Sequence, residues 1–228
     1  MSNLIEKSTF DFLKKLSRNN NRDWFNRNED QYLATHENMI AFAGALLKEM
    51  NKHDYLETQS GKDCLFRIYN DVRFSKDKTP YKTYWSGSFK RATKKLRGGY
   101  YFMIGPGESM AAGGFFSPDS KDLLRIRQDI DMNFSGWKKM LASKVIHKTF
   151  GELKGDKVAT SPKGFSKGNP AIALLRYKHF YFSRKFTDQE VLSKNFLKEL
   201  NQTFKNLRPY FDYMSEVLTT DGNGISIL

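Results

Sequence analysis

The stretch YYFMIGPGESMAAGGFF, Tyr100–Phe116, carries the clearest fold signal in this 228-residue chain. Two apolar runs, Tyr100–Ile104 and Met110–Phe116, lie on either side of Gly105-Pro106-Gly107. Aromatic residues favour extended backbone, whereas neighbouring Gly and Pro favour a tight reversal of the chain. The stretch therefore predicts a β-hairpin.

Helices are predicted before this hairpin. Ser8 resembles an N-cap, because Ser8-Thr9-Phe10-Asp11 has the form of a capping box with Asp in place of Glu. An apolar stripe at helical spacing follows it, formed by Phe10, Leu13 and Leu16. A longer helix is predicted from about Arg22 to about Met50, where apolar residues recur every three or four positions.

Further strands and helices complete the pattern. Strands are predicted at Leu65–Tyr69, Tyr84–Phe89 and His179–Phe186. Helices are predicted to begin at Ser117, as a cap followed by proline, and at the capping box Thr187–Glu190. We expect an α+β fold in one domain, 1–228, with a mainly antiparallel sheet packed against N-terminal and C-terminal helices. Its successive regions are helical (1–60), strand-rich (61–116), helical (117–150), loop and strand (151–186), and helical (187–218).

The composition excludes several classes of protein. A single cysteine, Cys64, excludes a disulfide framework and every Cys-rich zinc motif. The four histidines lack paired metal-ligand spacing, so neither a metal nor another cofactor is predicted. No apolar run has membrane-spanning length, and the first residues lack the pattern of a signal peptide. The sequence therefore predicts a cytoplasmic protein with no membrane partner, and it leaves the oligomeric state open.

Positive charge is concentrated in one part of the chain. The formal net charge is +13, and residues 61–100 alone carry 11 basic and 3 acidic side chains. Such a field favours anionic partners. An anionic small molecule is the first expectation. Nucleic-acid binding through the basic 61–100 segment, without catalysis, is the alternative.

Five residues in the basic segment form the candidate site. Asp71 lies between Arg67 and Arg73, so its carboxylate could orient both guanidinium groups for a phosphate or carboxylate. Lys78 adds a point charge, and Tyr81 could close the site. Pairing with arginines lowers the pKa of an aspartate and makes Asp71 a poor general base, which favours binding over catalysis. A purely structural Arg–Asp network in an interaction scaffold remains open.

Long motifs in the chain resemble those of the DUF2461 family of uncharacterised proteins, also called the TIGR02453 family. The motifs are N-N-R-D-W-F at Asn20–Phe25, R-I-Y-N-D-V-R-F-S-K-D-K-T-P-Y-K-T at Arg67–Thr83, G-G-Y-Y-F-M-I-G-P-G at Gly98–Gly107, G-G-F-F-S-P at Gly113–Pro118, and L-L-R-Y-K at Leu174–Lys178. The resemblance implies a single domain and no known reaction. Members of the family usually carry arginine where this chain has Asn70.

Two of these motifs contribute further candidates for the same cleft. From the first motif we expect Asn20, Arg22 and Trp24 to line it. Gly113 and Gly114 precede a predicted helix start, where free backbone N–H groups could bind an anion. Paired glycines in a strand could equally form a bulge or admit a close backbone neighbour.

Overall fold

The protein has the predicted α+β fold, and the computed structural model describes its residues 3–221 and 223–228. Four strands, paired in the order β1-β2-β3-β4, form an antiparallel sheet. The strands are β1 Trp85–Lys90, β2 Gly99–Ile104, β3 Met110–Phe115 and β4 Phe180–Lys185. The helices are α1 Lys7–Arg18, α2 Arg22–Arg27, α3 Glu29–Met50, α4 Gly61–Cys64, α5 Ser120–Met132, α6 Phe134–Leu141, α7 Lys144–Phe150, α8 Ile172–Leu175, α9 Asp188–Val191, α10 Phe196–Lys205 and α11 Arg208–Thr219.

The predicted hairpin is confirmed as β2 and β3. The Ser109 hydroxyl closes its turn, because it donates to the Gly105 carbonyl (2.9 Å) and accepts from the Gly105 N–H (3.1 Å). Gly107 has a φ of +75°, a left-handed conformation that glycine adopts without steric cost. Local hydrogen bonds therefore set the hairpin that the Gly-Pro-Gly signal predicts.

The N-terminal helices follow the predicted apolar pattern but not the predicted ends. The stripe of Phe10, Leu13 and Leu16 is buried, as expected. The N-cap of α1 is Glu6 rather than Ser8, which lies inside the helix. The single helix expected from Arg22 to Met50 is broken at Asn28 into α2 and α3.

The helix breaks at Asn28 because the side-chain amide of Asn28, rather than its backbone N–H, donates to the carbonyl four residues earlier. Its amide Nδ2 donates to the Trp24 carbonyl at 2.8 Å. The Asn28 backbone N–H instead bonds to the Phe25 carbonyl at 3.0 Å. An asparagine side chain competes with helical hydrogen bonds in this way, which the apolar periodicity alone does not reveal.

Of the two helix starts predicted in the second half of the chain, one is wrong and the other is confirmed. The predicted cap at Ser117 is wrong, because Asp119 caps α5 by accepting from the N–H groups of Lys121 (2.9 Å) and Asp122 (2.8 Å). A carboxylate two residues further along therefore provides the cap. The capping box from Thr187 to Glu190 is confirmed at α9.

The described chain divides into two compact units. Whether the two units form the single domain predicted from the sequence stays a prediction. The first unit comprises Met1–Lys90, Tyr101–Ala111 and Lys185–Gln202; the second comprises Arg91–Tyr100, Ala112–Arg184 and Thr203–Leu228. In the first, Gly61 of α4 lies against α3, where a β-carbon would overlap the Ile40 carbonyl. In the second, the buried Arg91 guanidinium donates to the Arg97 carbonyl and the Asp212 carboxylate.

Candidate functional site

Two extended segments of the first unit, residues 65–70 and 80–87, frame the candidate site. They pair antiparallel through the bridges Leu65↔Gly87 and Tyr69↔Tyr81. The Lys82 N–H donates to the Ile68 carbonyl at 2.8 Å. The strand predicted at Leu65–Tyr69 is thus an extended segment held by isolated bridges rather than a continuous strand. We call residues 67–82, which contain the intervening turn, the basic loop.

Asn20 clamps the returning arm of the basic loop. Its side-chain amide donates to the Tyr81 carbonyl at 2.8 Å and accepts from the Tyr81 N–H at 3.1 Å. Asn21 caps α2 by accepting from the Trp24 N–H, so the preceding Asn20 is held at the start of that helix. The structure therefore brings Asn20 and Tyr81 together, across 61 residues of sequence.

The Tyr81 ring packs inside the first unit. It is 4% exposed, and it stacks on the Phe25 ring with centroids 3.9 Å apart and planes inclined by 8°. Burial and the neighbouring Tyr69 raise the pKa of Tyr81, whereas the Arg22 charge opposes this shift. Arg22 is therefore electrostatically coupled to Tyr81. Trp24 packs against Phe12 nearby, with ring centroids 6.0 Å apart.

Asp71 orients one arginine rather than two. Its carboxylate accepts from Arg73 Nε at 2.9 Å and from Arg73 Nη2 at 2.7 Å, in the bidentate geometry of a guanidinium–carboxylate pair. The hydrogen bonds from Arg73 are the main reason that the pKa of Asp71 is lowered, and the Arg67 charge adds to them. Arg67 makes no hydrogen bond to Asp71. Both partners of the ion pair are exposed to solvent.

Carbonyl groups of the basic loop hold two of its lysines. Lys78 Nζ donates to the Val72 carbonyl at 2.9 Å, and Lys82 Nζ donates to the Arg67 carbonyl at 2.8 Å. The Asn70 amide donates to the Thr79 carbonyl at 3.0 Å and so helps to close the turn. The residue that departs from the family pattern therefore has a local structural contact.

Arg67 and Lys82 carry two like charges at the base of the loop. Burial, and then the charge of Arg67, lowers the pKa of Lys82. Within the part of the chain that the structure describes, no carboxylate forms an ion pair with either side chain. Because like charges that lie close together repel each other, an anion bound beside both would be stabilised by them.

The loop also exposes an aromatic side chain. Phe74 is 95% exposed, and the Arg73 guanidinium lies 5.9 Å from its ring centroid. The sequence gives no sign of this exposure, because phenylalanine is among the residues most often buried.

The two glycines predicted for the same cleft lie on β3, in the second unit. A β-carbon on Gly113 would come 2.5 Å from Leu207 Cδ1. One on Gly114 would overlap the Phe180 carbonyl oxygen of β4. Both glycines thus allow close contacts with the chain's own atoms, and their part in an anion site stays a prediction.

Two further features, a metal-ligand cluster and a membrane-spanning helix, are not found among the residues that the structure describes. Among residues 3–221 and 223–228, no group of three or more His, Cys, Asp or Glu side chains is arranged to hold a metal ion. Over the same residues, no helix has the length and apolar character needed to cross a membrane.

Comparisons with known proteins agree with the motifs and add no activity. The family model described as "Conserved hypothetical protein (DUF2461)" matches residues 8–213, nearly the whole chain. Neither a curated protein nor a solved structure matches.

Proposed function

The chain belongs to the DUF2461 family of conserved hypothetical proteins, and we propose that it binds a phosphate-bearing or other anionic small molecule beside Arg67 and Lys82. The observation that carries this proposal is that the Lys82 ammonium is held on the Arg67 carbonyl, next to the residue that bears the second cation, and that neither side chain has an ion-pair partner among the described residues. Keeping two positive groups close together costs free energy, and an anion placed between them offsets that cost. Arg67 supplies several N–H donors in a planar fork, which suits the oxygens of a phosphate.

The surroundings of this pair favour binding in a fixed geometry. Asn20 holds the backbone of Tyr81, the residue before Lys82, through two hydrogen bonds. The Lys82 ammonium is itself held on the Arg67 carbonyl. A ligand would therefore meet a Lys82 ammonium that is already ordered, which lowers the entropic cost of binding.

The other charged residues of the loop have smaller parts in this proposal. Arg73 is paired with Asp71, so the two together would add little net charge to the site. Asp71 itself is a poor general base, because a carboxylate with a lowered pKa has little affinity for a proton. The proposal is therefore one of binding, without an assigned reaction.

Thermal unfolding in the presence of simple anions tests the proposal. Sodium phosphate and sodium pyrophosphate should raise the Tm above that in sodium chloride of equal ionic strength. Arg67→Gln should abolish most of this rise, because it removes one of the two cations and keeps a long polar side chain. Lys76→Gln is the matched control, since Lys76 is exposed in the same loop and makes no hydrogen bond or ion pair among the described residues. An equal rise in wild type and Arg67→Gln would refute the proposal.

Nucleic-acid binding is the second candidate, and the exposure of Phe74 favours it. Tyr69 in the basic loop and Phe66 just before it are each 46% exposed, so this segment combines cations with partly exposed rings. Proteins that bind single strands without sequence preference use this combination. Fluorescence anisotropy with a mixed-sequence single strand should show affinity that falls steeply with salt and weakens in Phe74→Ala. Absence of binding at low salt would reject this candidate. If phosphate and pyrophosphate also fail to raise the Tm, a structural Arg–Asp network in an interaction scaffold is the remaining hypothesis.

A further inference from the structure

A separate cleft lies wholly within the second unit. Its volume is about 320 Å³, and its walls come from α5, α11 and the chain after each helix. Pockets for small ligands begin at roughly this volume, so the cleft would suit a compact metabolite. The residues that matter most for its chemistry are Asp129, Met132, Asn133, Tyr213, Glu216 and Val217.

Hydrogen bonds fix the carboxylate of Asp129 in the wall of this cleft. Its Oδ2 accepts from Trp137 Nε1 at 2.6 Å and from the Tyr213 hydroxyl at 3.1 Å. The Trp137 side chain is completely buried, so the carboxylate is anchored to the interior. Over the described residues, Oδ1 of Asp129 makes no hydrogen bond. An oriented carboxylate oxygen is thus available to a ligand.

Tyr213 completes the ordered polar wall. Asn133 Nδ2 donates to its hydroxyl at 3.4 Å, and that hydroxyl donates to Asp129. Burial, followed by the Asp129 charge, raises the pKa of Tyr213. The hydroxyl therefore stays protonated at neutral pH and continues to donate, which keeps Oδ2 occupied and leaves Oδ1 for a ligand.

The charge of the cleft is opposite to that of the chain. Its ionisable lining consists of the carboxylates of Asp129, Glu216 and Asp221 and the guanidinium of Arg125, which leaves a net charge of −2. The whole protein carries +13. Met132 and Val217 supply an apolar part of the wall. A ligand with a positive group and a short carbon chain would match both features.

We propose that this cleft binds a small organic amine in its protonated form. The ammonium group would lie against Oδ1 of Asp129 and the Glu216 carboxylate, and the carbon chain against Met132 and Val217. The volume, the apolar wall and the oriented Asp129 together select such a molecule, whereas an acidic surface alone would attract any cation. This site lies in a different unit from the basic loop and has the opposite preference for charge.

Isothermal titration calorimetry with three probes of one chain length tests the proposal. Diaminobutane, butanediol and succinate each contain four carbon atoms in a row and carry positive, neutral and negative end groups, respectively. Diaminobutane should bind with a Kd of about 1 mM or lower, and the neutral and anionic probes should bind at least about tenfold more weakly. Asp129→Asn should weaken diaminobutane binding about tenfold or more, because the amide keeps an oxygen for Trp137 and Tyr213 and removes the charge.

Two further variants keep the test decisive. Glu216 is exposed, so Glu216→Gln should leave the fold intact, and it should weaken diaminobutane binding because it removes one of the two carboxylates placed against the ammonium group. Glu152→Gln is the matched control, an exposed carboxylate of the same unit outside the cleft lining. The proposal is overturned if diaminobutane does not bind, if butanediol or succinate binds equally well, or if Glu216→Gln binds diaminobutane like Glu152→Gln.

Discussion

The clamp between Asn20 and Tyr81 gives the sharpest prediction about stability. Asn20→Ala removes both hydrogen bonds to the Tyr81 backbone, at 2.8 and 3.1 Å. Each such bond contributes about 0.5–1.5 kcal/mol, so the free energy of unfolding should fall by about 2 kcal/mol. For a chain of this length that loss corresponds to a decrease in Tm of about 4–8 °C. Urea unfolding followed by tryptophan fluorescence measures it, since Trp24 and Trp85 both lie in the first unit.

Two variants separate this clamp from a general effect of asparagine removal. Asn20→Asp keeps an acceptor for the Tyr81 N–H but replaces the donor by a carboxylate oxygen that repels the Tyr81 carbonyl oxygen, so the loss of stability should be at least as large as in Asn20→Ala. Asn26→Ala is the control, because Asn26 is exposed on α2 and makes no side-chain hydrogen bond among the described residues. The reasoning is refuted if Asn20→Ala and Asn26→Ala have the same unfolding midpoint.

Three further predictions concern single contacts. Gly61→Ala should destabilise the fold by about 1–3 kcal/mol, because the new methyl group overlaps the backbone of α3. Gly168→Ala is the control and should not destabilise the fold, because there is room for a methyl group at that position. Equal urea midpoints for the two variants would contradict the prediction. Thr187→Ala removes the α9 cap and should cost about 1 kcal/mol in the same assay; no measurable loss would contradict the capping role. Arg73 lowers the pKa of Asp71 in the folded protein. The stabilisation from their ion pair is therefore fully present at pH values above the ordinary pKa of aspartate, and it is lost as the pH falls through the lowered pKa of the folded state. Carboxyl NMR titration should place the Asp71 midpoint below that of an ordinary aspartate, and Arg73→Gln should raise it; an unchanged midpoint would show that Arg73 is not the cause.

Features set by neighbouring residues were predicted well. The hairpin of β2 and β3 depends on a turn whose hydrogen bonds join Gly105 and Ser109, four residues apart. The capping box at α9 joins Thr187 and Glu190. In both cases the interacting groups are close in sequence, so little loop entropy is lost when they meet, and residue type alone identifies them.

Predictions failed where several local solutions compete. Ser117 and Asp119 can both cap a helix, and the structure uses Asp119. Asn28 can continue a helix or interrupt it, and its side chain bonds to Trp24 and interrupts it. Such choices differ by about 1 kcal/mol or less, so packing elsewhere decides them.

For the basic loop, the sequence by itself determined the clustering of charge, the family and the set of candidate residues. Tertiary structure decided which of those residues meet. Asp71 pairs with Arg73 rather than with both arginines. The structure also adds a residue that was not among the candidates, because Lys82 is held on the Arg67 carbonyl. Two residues at i and i+2 can reach each other in many conformations, and only the folded backbone selects one of them.

For the rest of the molecule, the sequence determined the apolar stripes and the local turns, because these depend on periodicity and on short-range hydrogen bonds. The clamp from Asn20 to Tyr81 and the cleft between α5 and α11 join segments that are 61 or more residues apart. No residue pattern specifies such contacts, since they form only when the cores are packed and the chain entropy of closing long loops has been offset by burial.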